Sequence, residues 1–139
     1  MALPVEDVLA IQTLLAQYNH LIDGGDGDGW AALFVADGSL DVGMGEPTVG
    51  TDALAAFAKG TVEMVPGIRH MITNVVVDGD GDSATAAAYL QVWQAKAPAS
   101  DSVQILSGVY RDTLRRDGGQ WKFVTRRMLP DTGGALAAG

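Results

Sequence analysis

The period of the hydrophobic pattern changes once along this chain, and that change constrains its fold more than any single residue does. Val8, Ile11, Leu14, Leu15, Tyr18, Leu21 and Ile22 recur at helical spacing, which predicts one amphipathic helix from about Glu6 to about Asp23. Beyond Pro66-Gly67 the spacing drops to two. Arg69–Val77, Ser83–Ala97, Ser102–Arg115 and Gln120–Met128 read as four strands, joined by turns at Asp78–Asp82, Pro98–Asp101 and Arg116–Gly119. Helices first and long hairpin strands after imply an α+β fold, with a curved antiparallel sheet wrapped on the helices.

Between these halves the punctuation is dense. Gly24-Gly25 ends the first helix, and Asp28 is suited to cap a second, short one carrying Trp30, Leu33 and Phe34. Ser39–Val42 follows as a short strand. A third helix begins after Gly50, with Thr51 as its expected N-cap and Leu54, Phe57 and Ala58 on its buried face.

At 139 residues the chain is one domain, expected over residues 1–131 with residues 132–139 as a flexible tail. A domain of this size buries roughly 68–70% of the surface its unfolded chain exposes, so it needs no staple. The chain has no cysteine for one in any case. A formal charge of −8 without basic clusters argues against nucleic acid. Apolar runs such as Val75–Val77 and Ala84–Ala88 fall far short of the roughly 20 residues a membrane-spanning helix needs. The acidic start, Val5-Glu6-Asp7, does not read as an export signal, so a cytoplasmic location and no membrane partner are expected.

Several motifs run in a familiar order. They are Tyr18-x4-Asp23, a Gly/Asp turn, Trp30-Ala31-Ala32-Leu33-Phe34, Asp37-Gly38 and Gly50-Thr51-Asp52-Ala53-Leu54. Arg69-His70-Met71-Ile72-Thr73-Asn74, Asp80-Gly81-Asp82, Gly108-x-Tyr110-x-Asp112 and Trp121-Lys122-Phe123-x3-Arg127 follow. Together they resemble the SnoaL-like branch of the NTF2-like superfamily over roughly residues 5–131. The resemblance implies a cone-shaped α+β barrel enclosing a mostly apolar pocket. Members similar to scytalone dehydratase, hexachlorocyclohexane dehydrochlorinase and bile-acid dehydratase use an Asp–His pair as the base of an elimination. The matching positions here are Asp23 and His70. The bile-acid dehydratase pattern adds a tyrosine matching Tyr18 and a last-strand arginine, Arg127 or Arg126. Lys96 stands where scytalone dehydratase has a second catalytic histidine, and Trp93 lies near the family position of another acid.

The residues themselves bear on these roles. Asp23 lies about 140° around the helix from Tyr18, at the C-terminal end, where a carboxylate opposes the macrodipole. A histidine partner would compensate, with the carboxylate orienting the imidazole. His20 lies about 200° from Tyr18 and faces away from the apolar stripe. His70 shares a strand face with Ile72, so it points inward if Ile72 does. In the last strand Trp121, Phe123, Thr125 and Arg127 share one face, which makes Arg127 the expected pocket arginine unless a bulge substitutes Arg126.

No metal is expected, because there are only two histidines and no acid at ligand spacing beside His70. The Asp78–Asp82 segment has Tyr89 where a calcium loop needs glutamate, and the Gly24–Gly29 segment lacks the lysine of a phosphate loop. No organic cofactor is expected either.

The leading expectation is a cofactor-independent lyase, a dehydratase acting on a small apolar or polycyclic hydroxylated molecule. His70 takes the proton, Asp23 orients it, and Tyr18 or Arg127 stabilises the developing oxyanion. Trp30, Phe34, Phe57 and Trp93 are expected to line the pocket. A ketosteroid-isomerase-like enzyme comes second; its catalytic aspartate would fall near Val42, with Asp41 on the opposite strand face. A non-catalytic pocket protein comes third. Apolar residues at both parities of the long strands, Tyr89 and Trp93 against Leu90 and Val92, predict a homodimer through the outer face of the sheet.

Overall fold

A computed structural model describes residues 2–131; the expected tail at 132–139 lies outside the described residues. The first helix, α1 (Val5–Asp23), buries Ile11, Leu14, Leu15, Tyr18 and Ile22, the stripe that its sequence period marks. Its C-terminus closes on glycine: the Gly24 N–H donates to the His20 carbonyl at 3.0 Å, and Gly25 takes a φ of +73° that few other residues adopt readily.

The short α2 (Gly27–Ala31) is capped by Asp26, whose side chain accepts from the Gly29 N–H at 2.9 Å. Asp28, the expected cap, lies one residue inside the helix. Phe34, expected on this helix, instead opens β1 (Phe34–Asp41). The cause is competition for the backbone: the Phe123 N–H captures the Leu33 carbonyl at 2.9 Å, and Phe34 pairs with Phe123. After the two-residue β2 (Thr48–Val49), α3 (Thr51–Met64) starts from Gly50, whose φ of +90° makes it the N-cap in place of Thr51. Helices α2 and α3 touch closely enough that a Cβ on Gly27 would lie 2.5 Å from the Ala55 carbonyl oxygen.

The four long strands are β3 (Ile68–Asp80), β4 (Ser83–Gln94), β5 (Val103–Asp117) and β6 (Gln120–Pro130), with a 3-10 turn at Ala99–Asp101. They form antiparallel hairpins as expected, but β1 joins the far side of β6 in parallel. The six-stranded sheet, ordered β2-β1-β6-β5-β4-β3, is therefore mixed, and it curves over the helices without closing. A strand arriving from α2 enters alongside β6, so its direction is set by the helix before it.

Alternation places Ala84, Ala86, Ala88, Leu90 and Val92 of β4 inward, with Tyr110 and Leu114 of β5 facing the same core. Three bulges interrupt the antiparallel ladders of the long strands, at Asn74-Val75 in β3, at Ile105 in β5 and at Val124 in β6. Asn74 takes a φ of +56° in the first of them. Arg116 reaches Asp7 and Asp82, each at 2.9 Å, and fastens the start of α1 to the β5–β6 hairpin.

Candidate active site

Asp23 ends α1, and the Gly24-Gly25 turn leaves its carboxylate against the first residues of β3. That strand is the edge of the sheet, so a backbone N–H pointing away from β4 has no strand to meet. Asp23 takes that place. The His70 N–H donates to Asp23 Oδ2 at 3.0 Å and Oδ1 at 3.3 Å, and His70 Nδ1 lies 2.6 Å from Oδ1. The His70 and Asp23 side chains are 10% and 11% exposed.

An ionised carboxylate only accepts hydrogen bonds, so Nδ1 carries the proton and the Nε2 lone pair is left available. Contacts from one residue's ring and backbone thus compensate the carboxylate for its place at the wrong end of the helix dipole. Beside the pair opens a cavity of about 520 Å³, lined by Asn19, His20 and Asp23 on α1 and by Arg69, His70 and Met71 on β3.

Deeper in, a second polar group is enclosed by aromatic rings. Arg126 is 0% exposed, with Nε 2.9 Å and Nη2 3.4 Å from the carboxylate oxygens of buried Asp112. Its guanidinium lies 3.4 Å from the ring centroid of Tyr110, 4.2 Å from that of Tyr18 and 4.8 Å from that of Phe123. Nη1 has no partner among the described residues.

Burial pushes the Asp112 carboxyl up to about 6, against the opposing pull of Arg126. Burial is the largest influence on Arg126 and disfavours its charge, but Asp112, Tyr110 and Tyr18 together more than offset it, so the guanidinium stays charged. Burial also lifts Tyr18 well above the ordinary phenol range, so its hydroxyl is a donor and not a base. Tyr110 is raised for the same reason, and the Asp23 carboxylate is near enough to add to that rise.

The remaining expected residues divide cleanly. Tyr18, Trp30 and Phe34 are buried in one aromatic cluster, with Tyr18–Trp30 and Trp30–Phe34 centroids 5.1 and 5.0 Å apart. Phe57 stacks on Trp30 at 6.0 Å. These rings pack on one another, and the open volume lies at the α1–β3 junction beside them. Trp93 sits on the outer face, where its indole N–H donates to Gln91 Oε1 at 3.4 Å.

Arg127 is exposed and pairs in register with Arg111, also exposed, on that outer face. The Val124 bulge is the cause: Thr125 faces Thr113 while Phe123 faces Leu114, so parity flips and Arg126 takes the interior position expected of Arg127. Tyr110 was not among the expected site residues. Gly108-x-Tyr110-x-Asp112 carried the signal, because alternate positions of one strand share a face.

Comparison with curated proteins finds no match. Among solved structures, the chain is similar to Rv3472 from Mycobacterium tuberculosis, a protein of unknown function. The two are 34% identical with a TM-score of 0.84, covering 92% of this chain and 73% of that one. It is also similar to an NTF2-like protein with a cystatin-like fold from Novosphingobium aromaticivorans, at 29% identity and a TM-score of 0.86, covering 96% and 87% of the two chains. A candidate scytalone dehydratase from the same organism shares the fold, at 23% identity and a TM-score of 0.80, covering 97% and 93%. The model of the SnoaL-like domain family matches residues 4–127. The chain belongs to the SnoaL-like domain family, within the NTF2-like superfamily.

Proposed function

We propose that this protein is a cofactor-independent lyase that eliminates water from a small, apolar or polycyclic hydroxylated molecule. The observation that carries the reading is the 2.6 Å contact between Asp23 Oδ1 and His70 Nδ1, made by two residues 47 positions apart. Asp23 holds the imidazole in one tautomer, and Nε2 takes a proton from a carbon next to an electron-withdrawing group. The electron pair left on that carbon forms the new double bond as the neighbouring C–O bond breaks. The imidazolium then returns its proton to the departing oxygen, so water leaves and the base is restored. Tyr18 as donor, with Arg126 as the cation behind it, is suited to stabilise negative charge that develops on a substrate oxygen.

The isomerase reading needs a base near residues 41–42. Asp41 accepts from the Gly43 N–H at 2.8 Å and pairs in register with the outward Arg127, so nothing favours that role. The same reading includes a cytoplasmic homodimer joined through the outer face of the sheet, where Val76 is 65% and Tyr89 57% exposed.

Turnover is tested on a panel of hydroxylated cyclic ketones, by following the loss of one water in the product mass. His70→Gln is expected to reduce turnover by on the order of 10²–10⁴ with little change in KM, and Asp23→Asn to reduce it less. Full turnover by His70→Gln would end the proposal.

A further inference from the structure

Asn19 sits one turn before Asp23, on the same side of α1. It is only 7% exposed, its Oδ1 is shielded and without a hydrogen-bond partner among the described residues, and it lines the cavity shared by Asp23 and His70. Its companions in the buried stripe, Leu15, Tyr18 and Ile22, pack without an orphaned polar atom. Burying an amide with no partner destabilises a fold, and an apolar side chain of the same size would avoid that cost. The position therefore carries a polar atom that no described residue satisfies.

We propose that Asn19 is a substrate-binding residue whose amide receives a hydroxyl group of the bound molecule. This deepens the dehydratase reading and rests on its assignment of the cavity. Charge selects the ligand class. A carboxylate placed here would meet Asp23 and the C-terminal end of the α1 dipole, whereas an ammonium would meet Arg69, which makes no ion pair with a described residue. A neutral hydroxyl matches both ends of an amide, because it donates to the oxygen and accepts from the nitrogen. The ligand class is an alcohol or a phenol, held by its oxygen beside the Asp23–His70 pair.

The test compares the wild type with Asn19→Leu, using 2-naphthol and naphthalene as probes of nearly equal shape. Without ligand, Asn19→Leu should melt about 3–6 °C higher than the wild type, since the orphaned amide is gone. In the wild type, 2-naphthol should shift the side-chain amide resonances of Asn19 and bind about tenfold more tightly than naphthalene. In Asn19→Leu the two probes should bind alike. His70→Gln should keep the preference for 2-naphthol, because binding the hydroxyl does not need the base. Turnover retained by His70→Gln would thus remove the dehydratase reading and leave Asn19 in place. An Asn19→Leu protein that is less stable or does not fold would overturn the assignment, as would a wild type that fails to prefer 2-naphthol or a preference that survives in Asn19→Leu.

Discussion

Replacing Arg126 by methionine keeps a long apolar stem among the rings of Tyr18, Tyr110 and Phe123 but removes the cation facing Asp112. The Asp112 side chain is 0% exposed, and its carboxyl already titrates at about 6 with Arg126 in place. Without Arg126 it rises further and stays protonated at neutral pH, whereas in the unfolded chain an aspartate ionises near 3.9. The native state then holds a proton that the unfolded state lacks, so stability falls as pH rises, by about 1.4 kcal/mol per pH unit. In the wild type that fall begins near the unfolded value and ends near pH 6, where native Asp112 ionises as well. In Arg126→Met it continues. The gap between the two proteins should therefore widen above pH 6, reaching on the order of 2–3 kcal/mol by pH 8.

Lost charge-assisted hydrogen bonds and ring contacts add a part that does not vary with pH, offset by no longer burying a guanidinium whose Nη1 lacks a partner among the described residues. Urea unfolding at pH 5, 6, 7 and 8, followed by tryptophan fluorescence at one protein concentration, measures the gap. The double variant Arg126→Met/Asp112→Asn has no carboxyl at this place, so its gap to the wild type should stay constant above pH 6, where wild-type Asp112 is ionised in both states. Parallel stability profiles for the wild type and Arg126→Met between pH 6 and 8 would refute the argument, because Asp112 would then ionise as easily without its cation.

Gly27→Ala forces a methyl group against the Ala55 carbonyl and Lys59, and should cost about 1–3 kcal/mol in urea unfolding while leaving the Asp23–His70 contact intact. The imidazole ¹⁵N spectrum at neutral to basic pH should show a protonated Nδ1 and a bare Nε2 for His70, and Asp23→Asn should mix the two tautomers. Light scattering should give about twice the chain mass for the wild type and the single-chain mass for Tyr89→Glu, since a charge at the centre of the exposed apolar face opposes its burial.

The helical stripe of α1 and the four long strands were legible in the sequence because one period dominates each of them. The failures occur where a neighbour decides. Phe34 has helical company in sequence, yet β6 captures the chain one residue earlier. The parallel entry of β1 depends on where α2 delivers the chain, which no local pattern records. The sequence placed Asp23 and His70 in one site through their resemblance to a known pair, and the contact depends on β3 being an edge. Arg126 and Arg127 differ by one position, and strand parity decides between them only if the strand is regular. Val124 makes it irregular. Asn19 reads as an ordinary polar residue beside an apolar stripe, and only the folded surroundings show that its amide oxygen has no partner among the described residues.

A sheet with an uncovered border presents a template on which another chain can extend it. In this protein the start of that border, at His70, is closed by a side chain rather than by a strand: the Asp23 carboxylate occupies the N–H that an incoming segment would use. The residue that orients the imidazole is thus also a guard against edge-to-edge association. Asp23→Asn keeps an acceptor oxygen there, but with no charge and with an amide group competing for the same space. Preparations of that variant should accordingly form larger aggregates on storage at high concentration than His70→Gln does, because His70→Gln leaves both the carboxylate and the backbone N–H that it covers.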